Sequence, residues 1–259
     1  MILAIDMGNT NIVIGAIDDK KTYFVERVTT SHGKTDLEYA VNIKSILEIH
    51  DIPVSAIEGG IISSVVPPLN AAITSAVKKI CGFKPMLVGS GMKTGLNIIM
   101  DNPKTVGSDM IVDMIAAQKS YPCPVIVIDM GTATTMSVAD ASGNYIGGVI
   151  LPGLRVSLDS LSSKTAQLPH ISLDIPDHVI GKNTIDCMRS GIMYGSAAMI
   201  DGIIDRMEAE LGAPASVVAT GGLARFVTPL CRHKISYEDD LLLKGLLILY
   251  NKNRRSSLS

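Results

Sequence analysis

Apolar residues in this chain come in short runs that stop at a carboxylate, a glycine or a proline. Residues 2–6 and 11–17 have strand character, and 22–28 is a third such run, entered from the polar Lys20 and Lys21. Their order predicts a three-strand meander. After a loop at 31–34, Thr35-Asp36-Leu37-Glu38 has the capping-box pattern that opens a helix. Leu37, Ala40, Val41, Ile43, Ile46 and Leu47 trace the apolar face expected of that helix. A buried strand over 59–66 is stopped by Pro67-Pro68 and followed by a helix over 69–80 and a short strand over 85–88. Residues 92–106 read as irregular, with Gly95 and Pro103. Gly107-Ser108-Asp109 then leads into a helical run over 110–119.

The second half repeats this order. Strands are expected over 124–129, 133–139 and 145–150, with Ser142-Gly143-Asn144 as a hairpin turn. Pro152-Gly153 opens a helical segment to about residue 163. A loop-rich insertion over 165–183 carries Pro169 and Pro176, and a long helix over 184–211 follows. A strand over 216–220 runs into Gly221-Gly222, and a helix closes the chain over 239–251, before a Ser-rich end expected to fray. The repetition divides the chain into two lobes, 1–120 and 121–259.

Two stretches organise both halves. Ile-Leu-Ala-Ile-Asp6-Met-Gly-Asn-Thr-Asn11 and Ile-Val-Ile-Asp129-Met-Gly-Thr-Ala-Thr-Thr135 each set an Asp at a strand end, then glycine and small polar residues. Glycine lets backbone approach an anion closely, and successive N–H groups with hydroxyls form an anion-binding concavity. A carboxylate beside a phosphate calls for a cation, so metal plus phosphate is the simplest chemistry. Asp-x-Gly is also a common tight turn, but two copies in equivalent places suggest a ligand between duplicated halves. Asp109 falls near a helix N-terminus, where the ionised form is favoured; Ser108 or Asp109 would also serve there as an N-cap.

Composition narrows the classes. The 259 residues are 47% apolar and 19% charged, enough for a sizeable core. A net charge of −2, no basic cluster before Arg254 and Arg255, and no Trp argue against a nucleic-acid surface. Cys81, Cys123, Cys187 and Cys231 are far apart and form no CxxC or zinc spacing, which fits a reducing compartment. No secretory signal pattern opens the sequence and no apolar run reaches membrane-spanning length, so a soluble, cytoplasmic protein without membrane or nucleic-acid partners is expected. A dinucleotide fold is excluded by the lack of an early strand–helix–strand crossover and of G-x-G-x-x-G. Gly181-Lys182-Asn183-Thr184 lacks the upstream glycine of a P-loop and has Asn between Lys and Thr. The duplicated arrangement points instead to the actin-like ATPase class: an α/β, ribonuclease H-like fold in two lobes with a nucleotide cleft between them.

At this point the sequence resembles a specific family, the type III pantothenate kinases, over nearly its whole length. The resemblance rests on Asp6-Met-Gly-Asn-Thr-Asn11, Asp101-Asn-Pro103 leading to Gly107-Ser-Asp109, Asp129-Met-Gly-Thr132-Ala-Thr134, Gly147-Gly148 to Pro152-Gly153, Gly181-Lys-Asn-Thr184 and Thr220-Gly-Gly222, in the family's order. It implies ATP-dependent phosphorylation of pantothenate to 4'-phosphopantothenate, the first step towards coenzyme A, by a homodimer. It implies that Asp6, Gly8, Asn9, Thr10 and Asn11, with Val13 nearby, contact the ATP phosphates, with Asp6 on Mg2+. Asp129 would hold a monovalent cation, K+ or NH4+, with Gly131 and Thr132 at the nucleotide and Gly221 and Gly222 near adenosine. Asp109 would be the catalytic base, and Gly107, Ser108 and, across the dimer interface, Thr184 would meet pantothenate.

Two positions depart from the family pattern. Met110 stands where Arg usually follows the catalytic Asp, and Met100 where Tyr usually precedes Asp-Asn-Pro. Both are associated with the pantothenate pocket. A thioether cannot replace a guanidinium as a bidentate carboxylate partner. Either another basic residue such as Arg155 or Lys164 compensates, or acceptor affinity or acceptor choice changes. The alternatives to an active pantothenate kinase are therefore a weak or inactive nucleotide-binding regulatory homologue, and an actin-like kinase for another small alcohol.

Overall fold

A computed structural model of the chain describes residues 1–165 and 167–254; Arg255 and the Ser-rich end lie outside the described residues. The chain forms two compact units. Of the described residues, the first comprises 1–96, 102–116 and 240–254, and the second comprises 97–101, 117–165 and 167–239.

The first unit is built on β1 (Ile2–Met7), β2 (Asn11–Ile17), β3 (Thr22–Thr29), β4 (Gly59–Ser64) and β5 (Met86–Leu87), in the order β3-β2-β1-β4-β5. The meander is antiparallel, and β4 joins β1 in parallel through the helix α1 (Asp36–Ile49). Alternation along the strands decides the faces. Leu3, Ile5, Met7, Ile12, Ile14 and Ile62 pack with Tyr39, Ile43 and Leu47 of α1 and with Ile73 and Val77 of α2 (Asn70–Cys81). The helix α7 (Leu241–Arg254), which the sequence reading grouped with the second half, packs on β1, β2 and β4. Its Leu243 fills the space over Gly15, and its Gly245 admits the backbone of Val112 from α3 (Ser108–Ser120).

The second unit repeats this plan. Its strands are β6 (Val125–Met130), β7 (Ala133–Ala139), β8 (Tyr145–Pro152), β9 (Ser216–Thr220) and β10 (Ser236–Tyr237), ordered β10-β9-β6-β7-β8. Read from the other edge, this is the order of the first sheet. Ile126, Ile128, Met130, Met136 and Val138 pack with Leu154 and Leu158 of α4 (Leu154–Lys164) and with Met188, Ile192, Ile200 and Ile204 of α5 (Thr184–Leu211). The one-turn helix α6 (Ala224–Val227) follows β9. Neither α6 nor β10 is expected from the sequence, because both are too short to carry a period.

The capping box at Thr35 is present: its hydroxyl accepts from the Glu38 N–H while the Glu38 carboxylate accepts from the Thr35 N–H at 2.7 Å. The apolar face of α1 is rotated from the expected one. Leu37 and Val41 are exposed, at 61% and 54%, and Tyr39 is fully buried in their stead. The Tyr39 hydroxyl can enter the core because it donates to the Ser31 carbonyl at 2.8 Å, which removes the penalty for burying it. The segment 92–106 is not wholly irregular: Ile98 bridges to Tyr145, and Pro103–Thr105 forms a short 3-10 turn.

Candidate active site

Asp6 is the fifth residue of β1 and Asp129 the fifth residue of β6. Each is paired in parallel register with a buried hydroxyl: Asp6 with Ser63 at the end of β4, and Asp129 with Thr220 at the end of β9. Register partners on parallel strands share a face. Ile5 with Ile62, and Ile128 with Ala219, look into the helix-covered cores, so each Asp and its hydroxyl partner look to the opposite face of their own sheet.

The turns that follow differ by one residue. In the first unit Asp6 pairs with Val13, and the Gly8 N–H donates to Asn11 O at 3.0 Å. In the second, Asp129 pairs with Thr135, and the Gly131 N–H donates to Ala133 O at 3.0 Å. Asn9, Thr10 and Asn11, like Gly131 and Thr132, are exposed at the turn tips; Val13 is half-buried. Thr30 secures the first turn, donating its hydroxyl to Gly8 O at 2.7 Å and its N–H to Thr10 O at 2.9 Å. The second is backed by Gly153, whose N–H donates to Thr132 O at 3.2 Å and where a side chain would collide with the turn backbone.

Gly221 also serves the second turn. Its φ is +95°, and a β-carbon there would fall 2.6 Å from Asp129 Oδ1 and 2.7 Å from the Met130 backbone. Only glycine combines that backbone conformation with that approach. The adjacent Gly222 is exposed.

In the first unit, α3 begins beside the end of β4. Ser108 Oγ lies 3.0 Å from Ser63 Oγ and donates to Ser64 O at 3.3 Å. The expected N-cap role of Ser108 or Asp109 is not what forms. Both are already helical, and the Gly107 carbonyl accepts the first helical bond, from Ile111 N at 3.2 Å. Ser108 is drawn instead to the strand end. Asp109 lies within the first turn, half-buried, with Oδ1 accepting from the Met110 N–H at 2.9 Å. A β-carbon on residue 107 would strike that carboxylate, which gives Gly107 a physical reason. Met110 is half-buried beside it, whereas Met100 belongs to the second unit and is 38% exposed. Thr184 is exposed as the first residue of α5, after Asn183, whose side chain caps the helix by accepting from Asp186 N at 2.9 Å.

Among the described residues no group of three or more His, Cys, Asp or Glu side chains is arranged to hold a metal ion. Single carboxylates at the ends of β1 and β6 fit a cation that keeps waters and shares phosphate oxygens, as Mg2+ prefers. Sequence reasoning assigned no role to Ser63, Thr220 or Thr30. The available signal was a hydroxyl at the polar end of an apolar strand, for Ser63 and Thr220 alike.

A five-stranded sheet repeated twice, each copy with an Asp–Gly turn after its central strand, defines the actin-like fold class. A solved structure of that kind, MreB 5 of Spiroplasma citri bound to AMPPNP, superposes with a TM-score of 0.55 at 9% identity, covering 99% of this chain and 97% of the other. Within this class the chain belongs to the type III pantothenate kinase family, whose model matches residues 2–206. Relatives named type III pantothenate kinase include those of Geobacillus sp. (strain WCH70), 44% identical over 98% of both chains, and of Halalkalibacterium halodurans, 43% identical over 98% of this chain and 100% of the relative.

Proposed function

We propose that this chain transfers the γ-phosphoryl group of ATP to the primary hydroxyl of pantothenate, giving 4'-phosphopantothenate and ADP. The observation that carries the reading is the fixing of the first turn of α3, with Asp109 in it, to the end of β4, the strand paired with the one that carries Asp6. Phosphoryl transfer depends on positioning and charge compensation more than on covalent help. As the bond from the acceptor oxygen to phosphorus forms and the bridging bond to ADP breaks, the Asp109 carboxylate takes the hydroxyl proton. A base of this kind contributes about 10²–10⁴-fold.

The backbone and side chains of Gly8, Asn9, Thr10 and Asn11 bind the phosphates, with Gly131 and Thr132 of the second turn and Gly221 and Gly222 towards adenosine. Asp6 is the residue for Mg2+, and Asp129 for a monovalent cation. When bound, these ions offset phosphate charge. Gly107 leaves room for the base, Ser108 orients the acceptor, and Met110 and Met100 border it. The working species is a homodimer in which Thr184 completes the acceptor site of the other protomer. The exposure of Thr184 at the start of α5 supports this. The proposed setting is cytoplasmic, a reading that the four free cysteines support.

The test is a steady-state assay with ATP, Mg2+, K+ and pantothenate. Product formation that falls by about 10²–10⁴-fold in Asp109→Asn is the expected result. Undiminished turnover in that variant would remove Asp109 from the mechanism.

A further inference from the structure

The end of β4 carries a buried hydroxyl to which the steps above give no role. Ser63 is 0% exposed, and its strand neighbours Ile61 and Ile62 are also fully buried. A hydroxyl in such a place is costly unless hydrogen-bonded. Its Oγ lies 3.0 Å from Ser108 Oγ, and Ser108 Oγ lies 3.3 Å from the Ser64 carbonyl.

A serine hydroxyl has one proton. The Ser64 carbonyl can only accept, so Ser108 spends its proton there, and Ser63 is then the donor to Ser108. Two consecutive residues of β4 thus hold the first turn of α3 from donor and acceptor sides. The next residue along that turn is Asp109. On its other side Ser63 is the register partner of Asp6 and looks to the same face of the sheet. The second sheet repeats the placement with Thr220, 5% exposed, as partner of Asp129.

We propose that Ser63 is a positioning residue for the phosphoryl transfer: its hydroxyl fixes Ser108 and thereby sets the Asp109 carboxylate at a constant offset from the strand end that carries Asp6. The inference rests on the reading of Asp109 as the proton acceptor. It also fixes the polarity of Ser108. With its proton spent on Ser64, Ser108 meets the acceptor substrate with a lone pair, and so contacts a hydroxyl or amide N–H of that substrate rather than a carboxylate.

Ser63→Ala removes the donor and leaves the rest of the strand. The expected result is a kcat roughly 10- to 100-fold lower, the scale on which a displacement of about 1 Å degrades a reacting geometry, with KM for ATP nearly unchanged. Ser63→Thr keeps the hydroxyl and restores most of the rate. The decisive measurement is the double-mutant cycle with Asp109→Asn, in which Ser63→Ala costs nothing further because the group it positions is gone. Ser63→Cys keeps the side-chain size with a weaker donor, so the cycle can be read on it if the alanine variant does not fold. A wild-type kcat in Ser63→Ala, or the same fold-loss in both backgrounds, overturns the proposal. Full turnover in Asp109→Asn alone overturns the parent reading and the proposal with it. Loss in Asp109→Asn with an unaltered rate in Ser63→Ala sinks only the present inference.

Discussion

Gly221 lies so close to Asp129 that a β-carbon at 221 would sit 2.6 Å from the carboxylate oxygen and 2.7 Å from the Met130 backbone. The Met130 neighbour is main chain and cannot rotate away. Its φ of +95° adds strain for any side chain. Gly221→Ala is therefore expected to destabilise the second unit by about 1–3 kcal/mol and to displace Asp129. Thermal unfolding reads the first effect. A loss of nucleotide affinity, measured by calorimetry below the melting transition, reads the second.

Asp129 and Asp6 occupy the same place in their two sheets, yet the proposed function gives them different ions. Removal of Mg2+ by chelation should abolish turnover in every variant. Replacement of K+ by Na+ should lower turnover in the wild type and leave Asp129→Ala, already slow, unchanged. A K+ response that persists in Asp129→Ala would place the monovalent ion elsewhere.

Met110 follows Asp109, the proposed base, where the family pattern that the sequence resembles has arginine. Restoring the guanidinium in Met110→Arg should supply a bidentate partner for the pantothenate carboxylate. A lower KM for pantothenate with little change in kcat is expected, the signature of added uniform binding. An unchanged KM would mean that the carboxylate is already met by another basic residue.

The rotated face of α1 makes a sharp contrast between two of its apolar residues. Ile43 is fully buried and Leu37 is 61% exposed. Ile43→Ala should cost about 2–5 kcal/mol, and Leu37→Ala should stay within about 0.5 kcal/mol of the wild type. Chemical denaturation of the two variants checks both values.

Asp36 ties α1 to α2. Lys79 donates to its carboxylate at 2.7 Å and Ser75 at 2.6 Å, and these bonds, the lysine's first, hold its pKa below the usual carboxylate value. The unfolded chain therefore takes up this proton before the folded one does. The contribution is complete above the unfolded value, about pH 4, and is lost as pH falls through the folded value. Asp36→Asn should lower the melting temperature at pH 7, and its gap to the wild type should close below about pH 4.

The sequence by itself determined the repeated strand order, the capping box at Thr35 and the paired aspartates, because all of these are local. An apolar run, a four-residue cap and an Asp–Gly turn each write their physics in neighbouring residues. It also carried the family, through motifs spread along the chain. Periodicity misjudged α1, where Tyr39 could replace Leu37 in the core because the Ser31 carbonyl, eight residues earlier and outside the helix, accepts its hydroxyl. It had no access to Gly221 against Asp129, to Ser63 beside Asp6, or to the bond from Ser63 that draws Ser108 away from a capping role. Those are meetings of residues 45 or more positions apart in the chain, from 63 to 108 and from 129 to 221, made only when strand ends, a helix start and a turn fold together. Tertiary structure alone decided them, since a strand's own sequence states which residues alternate but not which partner stands opposite.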